Sequence, residues 1–161
     1  MITSMCVYLS GGEKDPHVCG LGRQWLESVL VSTDIHGKGF HRDLVTTVKF
    51  SPAVPDVLNL LLVHKLPSGI YVDPYQLASL SGDSHLQILL DSAIDLEAPA
   101  HRTRGFAALV FALLVTDGSS NLLKMTVPIH CRYHEPSLGE DKTAYVSVAP
   151  PDLLVRSGTC K

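Results

Sequence analysis

The chain has 161 residues, of which 45% are hydrophobic and 18% are charged, and its formal net charge is −3. This balance excludes a disordered chain and predicts one packed domain with a buried core. Lysine and arginine form no cluster, so the chain lacks the dense basic face that a nucleic-acid-binding protein needs.

The cysteines indicate in which cellular compartment the chain could work, and the apolar runs indicate whether it could span a membrane. Four cysteines, at positions 6, 19, 131 and 160, fit either an oxidising compartment or four unrelated thiols, and three disulfide pairings are open. Residues 1–25 are interrupted by glycine-rich turns and lack the regions of a signal peptide, so we expect them to be poorly ordered. The longest apolar run, residues 106–115, is about half as long as a spanning helix, so we predict no membrane span.

Period-two alternation predicts a series of short strands from residue 26 onward. The first is predicted over residues 26–35. The second, from Arg42, is predicted to be half-buried, with Leu44, Thr46, Val48 and Phe50 on one face and Val45, Thr47 and Lys49 on the other. Residues 57–66, VLNLLLVHKL, predict a more apolar strand covered on both faces. A type I turn follows at residues 66–69, and residues 70–72 are extended.

One short helical turn is predicted after Val72. Asp73 can cap the helix, Pro74 suits its first position, and Gln76 can reach back to the cap. Leu77 and Leu80 give this turn an apolar side, and residues 81–83 end it.

The second half predicts further strands at residues 85–90, 94–97, 106–116, 122–134 and 143–148. Residues 106–116 and 122–134 are expected to pair as a hairpin around a turn at 117–120. Ala144, Val146 and Val148 are expected to face inward, and Pro150-Pro151 closes the domain. The pattern predicts an all-β fold, an antiparallel β-sandwich with one short helical turn, over residues 26–155, and a tail at 156–161.

Two clusters could carry chemistry. In a strand, His130, Arg132 and His134 form a polar outer face, and Ile129, Cys131 and Tyr133 point the other way. An enzymatic reading would assign metal-assisted chemistry to His130, Cys131 and His134. A structural zinc site, however, needs two more Cys or His ligands at a matching spacing, so we predict no metal and no cofactor.

Asp95 and Glu97 share a strand face, as acidic pairs do in sugar transferases. No βαβ scaffold surrounds them, so a solvated strand edge is the prediction. The chain has no serine elbow and no glycine-rich nucleotide loop. We therefore predict no catalytic residues and no enzyme.

The tract at residues 66–80, LPSGIYVDPYQLASL, is a rigid, partly aromatic projection. It fits a connector that plugs the end of the sandwich and a partner-docking loop equally well. The candidate partner contacts are Tyr71, Asp73, Tyr75, His130, Arg132 and His134.

The same tract resembles the PIG-X family. Four further blocks accompany it in the family's order: GFHRDLVTTVKF (39–50), IDLEAP (94–99), VPIHCRYHEPS (127–137) and PDLL (151–154). The resemblance implies a lumenal domain at the endoplasmic reticulum membrane that binds and stabilises PIG-M. PIG-M is the multi-spanning mannosyltransferase that adds the first mannose in glycosylphosphatidylinositol (GPI) anchor biosynthesis, and its own acidic motif is catalytic.

PIG-X proteins have a cleaved signal sequence and a C-terminal transmembrane helix, which are not visible in this sequence. We therefore expect a truncated or alternatively spliced form of a non-catalytic, PIG-M-stabilising subunit. The alternative is a soluble β-sandwich interaction module without a role in GPI assembly.

Overall fold

A computed structural model describes residues 23–51, 57–80, 86–115, 121–139 and 142–157. Several predictions lie outside the described residues: the order of residues 1–22, the helix end at 81–83, the turn at 117–120 and the tail from 158 on. None of the helices within the described ranges is long and apolar enough to cross a membrane.

The described elements are mostly strands. In chain order they are α1 Arg23–Glu27, β1 Leu30–His36, β2 His41–Lys49, β3 Val57–Leu66, β4 Ile70–Tyr71, α2 Pro74–Leu80, β5 Leu86–Leu90, a 3-10 turn at Ala100–Arg102, β6 Phe106–Val115, β7 Leu122–Cys131 and β8 Asp152–Ser157. The strands form two four-stranded antiparallel sheets. Sheet I has the order β1-β2-β7-β4, and sheet II has the order β5-β6-β3-β8. The predicted all-β sandwich is confirmed.

The core fills the space between the inner faces of the two sheets. The residues predicted to share one face are all buried: Leu44, Thr46 and Val48 of β2, and Phe50 directly after it. Leu58, Leu60 and Leu62 of β3 face them from sheet II and are at most 2% exposed. Burying each such side chain contributes about 1.5–3 kcal/mol, so the period-two faces hold the sandwich together.

The predicted hairpin of β6 and β7 is wrong. β6 lies between β3 and β5 in sheet II, whereas β7 lies between β2 and β4 in sheet I. The chain therefore changes sheets between these two strands. Apolar alternation specifies that each segment is a strand, but the local sequence does not specify which strand pairs with it.

Both ends of the domain differ from the prediction. Leu26 lies in helix α1, and the first strand begins only at Leu30. Residues 143–148 form no strand, although Val146 and Val148 pack against the core while Ala144 is exposed. The domain does not end at Pro150-Pro151, because β8 follows and pairs with β3. Arg156 and Ser157, which were predicted to begin the tail, belong to β8.

Three local predictions also need correction. The turn after β3 lies one residue later than predicted, since the Ile70 N–H donates to the Pro67 carbonyl at 3.0 Å. Residues 94–97 form no strand, because Asp95 Oδ1 accepts the N–H groups of Glu97 at 3.0 Å and Ala98 at 3.1 Å. One face of β3 is buried, but the other is only partly covered. The prediction that β3 is covered on both faces is therefore wrong within the described chain.

Candidate functional site

Four segments that are distant in sequence meet at one end of sheet I. The Cys131 N–H donates to the Phe40 carbonyl at 2.8 Å, and the Arg132 N–H donates to the Gly69 carbonyl at 2.8 Å. The Ala100 N–H donates to the carbonyl of Tyr133 at 2.9 Å. Backbone hydrogen bonds therefore fix the positions of the side chains that these segments carry.

Tyr71 is at the centre of a ring cluster at this end. Its ring stacks on the His130 imidazole, with centroids 4.9 Å apart and planes at 15°. The guanidinium of Arg132 lies over the same ring, 4.8 Å from its centroid. His41 meets His130 edge-on, with ring centroids 4.5 Å apart. The structure thus brings together three of the predicted contact residues, Tyr71, His130 and Arg132.

His130 is held in one orientation by helix α2. Its Nε2 lies 2.9 Å from Gln76 Oε1. An amide oxygen only accepts, so Nε2 carries the proton and donates. Burial is the main cause that lowers the pKa of His130, with a further contribution from His41, while Asp73 opposes both. The ring is therefore neutral at neutral pH and acts as a hydrogen-bond donor.

Of the two residues predicted to cap the helix start, Asp73 acts as predicted and Gln76 does not. Asp73 Oδ1 accepts the Tyr75 N–H at 2.8 Å, so the predicted capping residue does bond to the first turn of α2. Gln76 was expected to reach back to the cap, but its side chain is directed to His130 instead. The helix start is consequently joined to strand β7 by a side-chain hydrogen bond.

Arg132 is a buried cation. It is 6% exposed, its Nη1 donates to the Ala98 carbonyl at 2.6 Å, and its Nε has no hydrogen-bond partner. Burial lowers its pKa, whereas the charges of Asp95 and Tyr71 oppose that shift. An arginine keeps its proton in proteins, so the carbonyl, the ring and the nearby carboxylate stabilise the charge together.

The outer face predicted for residues 130–134 is less exposed than expected. His130 does lie on the face of β7 that points away from the core, in the same row as His41 and Tyr71. Yet His130 is only 7% exposed, because Tyr71 and helix α2 cover it. Alternation indicates the direction of a side chain but not what packs over it.

The surface of this end is aromatic. Tyr75 is 79% exposed and Tyr133 is 73% exposed. Phe40 packs against Tyr133, with ring centroids 4.9 Å apart, and His134 is also exposed. Phe40 and Tyr133 were not among the predicted contacts. Both residues lie in the blocks of the family resemblance, and Tyr133 lies between the predicted site residues Arg132 and His134, which is the signal that could have identified it.

Among the residues that the structure describes, no three His, Cys, Asp or Glu side chains form a group able to hold a metal ion. Cys131, the one cysteine inside the described ranges, is half-buried. The site presents exposed aromatic rings beside the cluster of Tyr71, His130 and Arg132.

Comparison with known proteins identifies the family. The family model for PIG-X / PBN1 matches residues 37–161. The human "GPI alpha-1,4-mannosyltransferase I, stabilizing subunit" is 33% identical over 136 residues, which are 83% of this chain and 52% of that protein. The mouse protein of the same name is 33% identical over 144 residues, 87% of this chain and 56% of its own length.

A fungal relative matches a shorter part of the chain. Protein PBN1 of Yarrowia lipolytica is 38% identical over 94 residues, 50% of this chain and 18% of that protein. The chain thus spans about half the length of the mammalian relatives it matches. The whole cluster from Phe40 to His134 lies within the matched segment, and the chain belongs to the PIG-X / PBN1 family.

Proposed function

We propose that this chain is a non-catalytic subunit that stabilises the catalytic subunit of GPI mannosyltransferase I, PIG-M. The observation that carries this proposal is its identity of 33%, over most of its length, to relatives named as the stabilizing subunit of that enzyme. Its role is to hold the enzyme that adds the first mannose, rather than to transfer sugar itself.

The geometry of the cluster supports an accessory role. Exposed aromatic rings supply a large contact area at a low cost in side-chain entropy. Phe40, Tyr75 and Tyr133 are such rings, and the contacts among half-buried Tyr71 and buried His130 and Arg132 hold the segments that carry them. A preorganised surface loses less entropy when its partner binds.

The proposal refines the predicted partner contacts. Tyr75 and His134 are exposed and contact PIG-M directly, together with Phe40 and Tyr133. Asp73, which caps helix α2, acts with the buried cluster to hold that surface in place. The domain works at the endoplasmic reticulum, where GPI anchors are assembled, on the lumenal side of the membrane.

The test is rescue in cells that lack their own stabilising subunit. The chain, directed to the lumen, is expected to raise the level of PIG-M and the surface level of GPI-anchored proteins, measured by immunoblot and flow cytometry. If the human relative restores both and this chain restores neither, the proposal is wrong, and an interaction module outside GPI assembly becomes the better explanation.

The contact surface has its own control. Tyr75→Ala combined with Tyr133→Ala is expected to reduce rescue several-fold. Leu30→Ala combined with Leu122→Ala changes two side chains that are 64% and 50% exposed at the opposite end of sheet I, beside Lys49, and it should rescue like the wild type. Equal rescue by both variants would show that PIG-M binds elsewhere on the domain.

A further inference from the structure

The outer faces of the two sheets differ in chemistry. An antiparallel sandwich normally presents polar side chains to water on both outer faces. The outer face of sheet I follows this rule, and its exposed residues include Ser32, Asp34, Asp43, Lys49, Lys124 and Thr126. The outer face of sheet II does not.

Two adjacent rows of apolar side chains cross sheet II on that face. The register places Leu89, Leu109 and Val63 in one row, and Phe111, Leu61 and Leu154 in the next. Leu113 and Val115 continue the patch along β6 and are 45% and 67% exposed. We call this surface the apolar face.

The margin of the apolar face is polar. Gln87 and Asp152 end the two rows at opposite edges of the sheet, and Asp152 forms an ion pair with Lys65 at 2.8 Å. Asn59 and Arg156 follow in the next row. An apolar centre inside a polar rim is the anatomy of a protein–protein interface.

We infer that the apolar face is a second surface with which this chain binds the mannosyltransferase catalytic subunit, through an uncharged, apolar region of that partner. This inference rests on the proposed function and adds where and by what chemistry the partner is held. It also explains why β3 and β6 have the sequences of strands covered on both faces although the described chain covers the second face only in part.

The size of the apolar face favours a large partner over a second copy of this chain. Four strands, each about 4.8 Å wide, and four side-chain rows, each about 6.7 Å long, span at most about 500 Å². Two copies joined by this face would bury about 1,000 Å² in total, below the roughly 1,200 Å² at which stable interfaces begin. A stable complex therefore needs a partner that also covers neighbouring surfaces.

Such a neighbouring surface adjoins the apolar face at β5. A groove of about 320 Å³ lies between helix α2 and β5, with Pro74, Leu77 and Ile94 in its lining, and Leu89 belongs to both groove and face. Helix α2 then leads to Tyr75 and to the aromatic end of sheet I. One large partner can follow this surface from sheet II to the Tyr71 cluster.

Pull-down of PIG-M with the wild-type chain and two matched variants tests the inference. Leu89→Gln with Leu113→Gln changes two leucines of the apolar face, each 45% exposed. Leu30→Gln with Leu122→Gln makes the same change on sheet I, at 64% and 50% exposure. The first variant should co-purify at least tenfold less PIG-M than the wild type while keeping the wild-type melting temperature. The second variant should co-purify as much PIG-M as the wild type.

A photo-crosslinking residue at Phe111 gives a readout that does not depend on a destabilising change, with Ser32 on sheet I as the control position. The expected result is a covalent adduct with PIG-M from position 111 alone. Adducts only with a second copy or with lipid, or equal binding by both leucine variants, would overturn the inference while the proposed function stands. Failure of the wild type to bind PIG-M would overturn both.

Discussion

The guanidinium of Arg132 lies 4.8 Å from the ring centroid of Tyr71, at a site where Arg132 is 6% exposed. A desolvated cation over an aromatic ring contributes about 2 kcal/mol. Replacing Tyr71 with leucine removes the ring beneath the cation and should lower the free energy of unfolding by about that amount. Tyr71→Phe keeps the ring and should lose much less. Equal losses in urea unfolding of the two variants would show that the ring does not stabilise Arg132.

Asp73 has two roles that its variants separate. As the cap of α2, its Oδ1 accepts the Tyr75 N–H, and loss of such a cap costs about 1 kcal/mol. Asp73→Ala should therefore lower the free energy of unfolding by that amount. Asp73→Asn retains a side-chain acceptor and should be nearly neutral. Thermal unfolding of both variants measures the difference.

The charge of Asp73 is expected to act on His130. Asp73 opposes the lowering of the His130 pKa, so Asp73→Asn should lower that pKa further because the favourable charge is gone. An NMR titration of the His130 ring measures the shift. Asp34→Asn removes an exposed carboxylate on β1, at the opposite edge of sheet I, and should leave the titration unchanged. An unchanged His130 pKa in Asp73→Asn would contradict the proposed coupling.

The sequence predicted those parts of the fold that depend on local pattern. Leu44, Thr46 and Val48 recur at every second position, so a shared face could be predicted from their spacing, whereas the burial of Val45 on the opposite face could not. The partner of β6 could not be predicted this way. Phe106–Val115 is apolar on both faces and precedes a turn signal, which fits a hairpin with β7 as well as the observed central position in sheet II.

The candidate site shows the same division. Tyr71, His130 and Arg132 were identified from the sequence because they lie in unusual polar and aromatic blocks. The burial of His130 could not be predicted, because it depends on helix α2 packing across β7, where Gln76 hydrogen-bonds to the His130 ring. That contact joins residues 54 positions apart, and no local rule specifies it.

Gly105 is required by close packing at the start of β6. A Cβ at this position would lie 2.7 Å from the Leu66 carbonyl oxygen, a backbone atom that cannot rotate away. Gly105→Ala should therefore lower the free energy of unfolding by about 1–3 kcal/mol, as overpacked cores do. Gly139→Ala is the control, because its Cβ would meet only Ser137 Oγ at 3.5 Å. Similar melting temperatures of the two variants would contradict this explanation.

His64 makes the stability of the sandwich depend on pH. It is 1% exposed, its Nε2 lies 3.4 Å from Thr46 Oγ1, and its Nδ1 has no partner. Burial lowers its pKa from 6.5 to about 4. Between these two values the unfolded chain binds the proton and the folded chain does not, so stability falls as the pH falls.

Between pH 6.5 and pH 4, His64 alone lowers the free energy of unfolding by roughly 3 kcal/mol. His64→Leu places an apolar side chain between the sheets. Thr46 Oγ1 then still has Thr33 Oγ1 as a hydrogen-bond partner at 3.4 Å. Chemical unfolding of both proteins at several pH values isolates the histidine, because the other titrating groups are shared. The wild type should lose stability relative to His64→Leu as the pH falls below 6.5, and their difference should be constant above pH 7. A difference that stays constant through the acid range would mean that His64 takes up its proton without leaving the core.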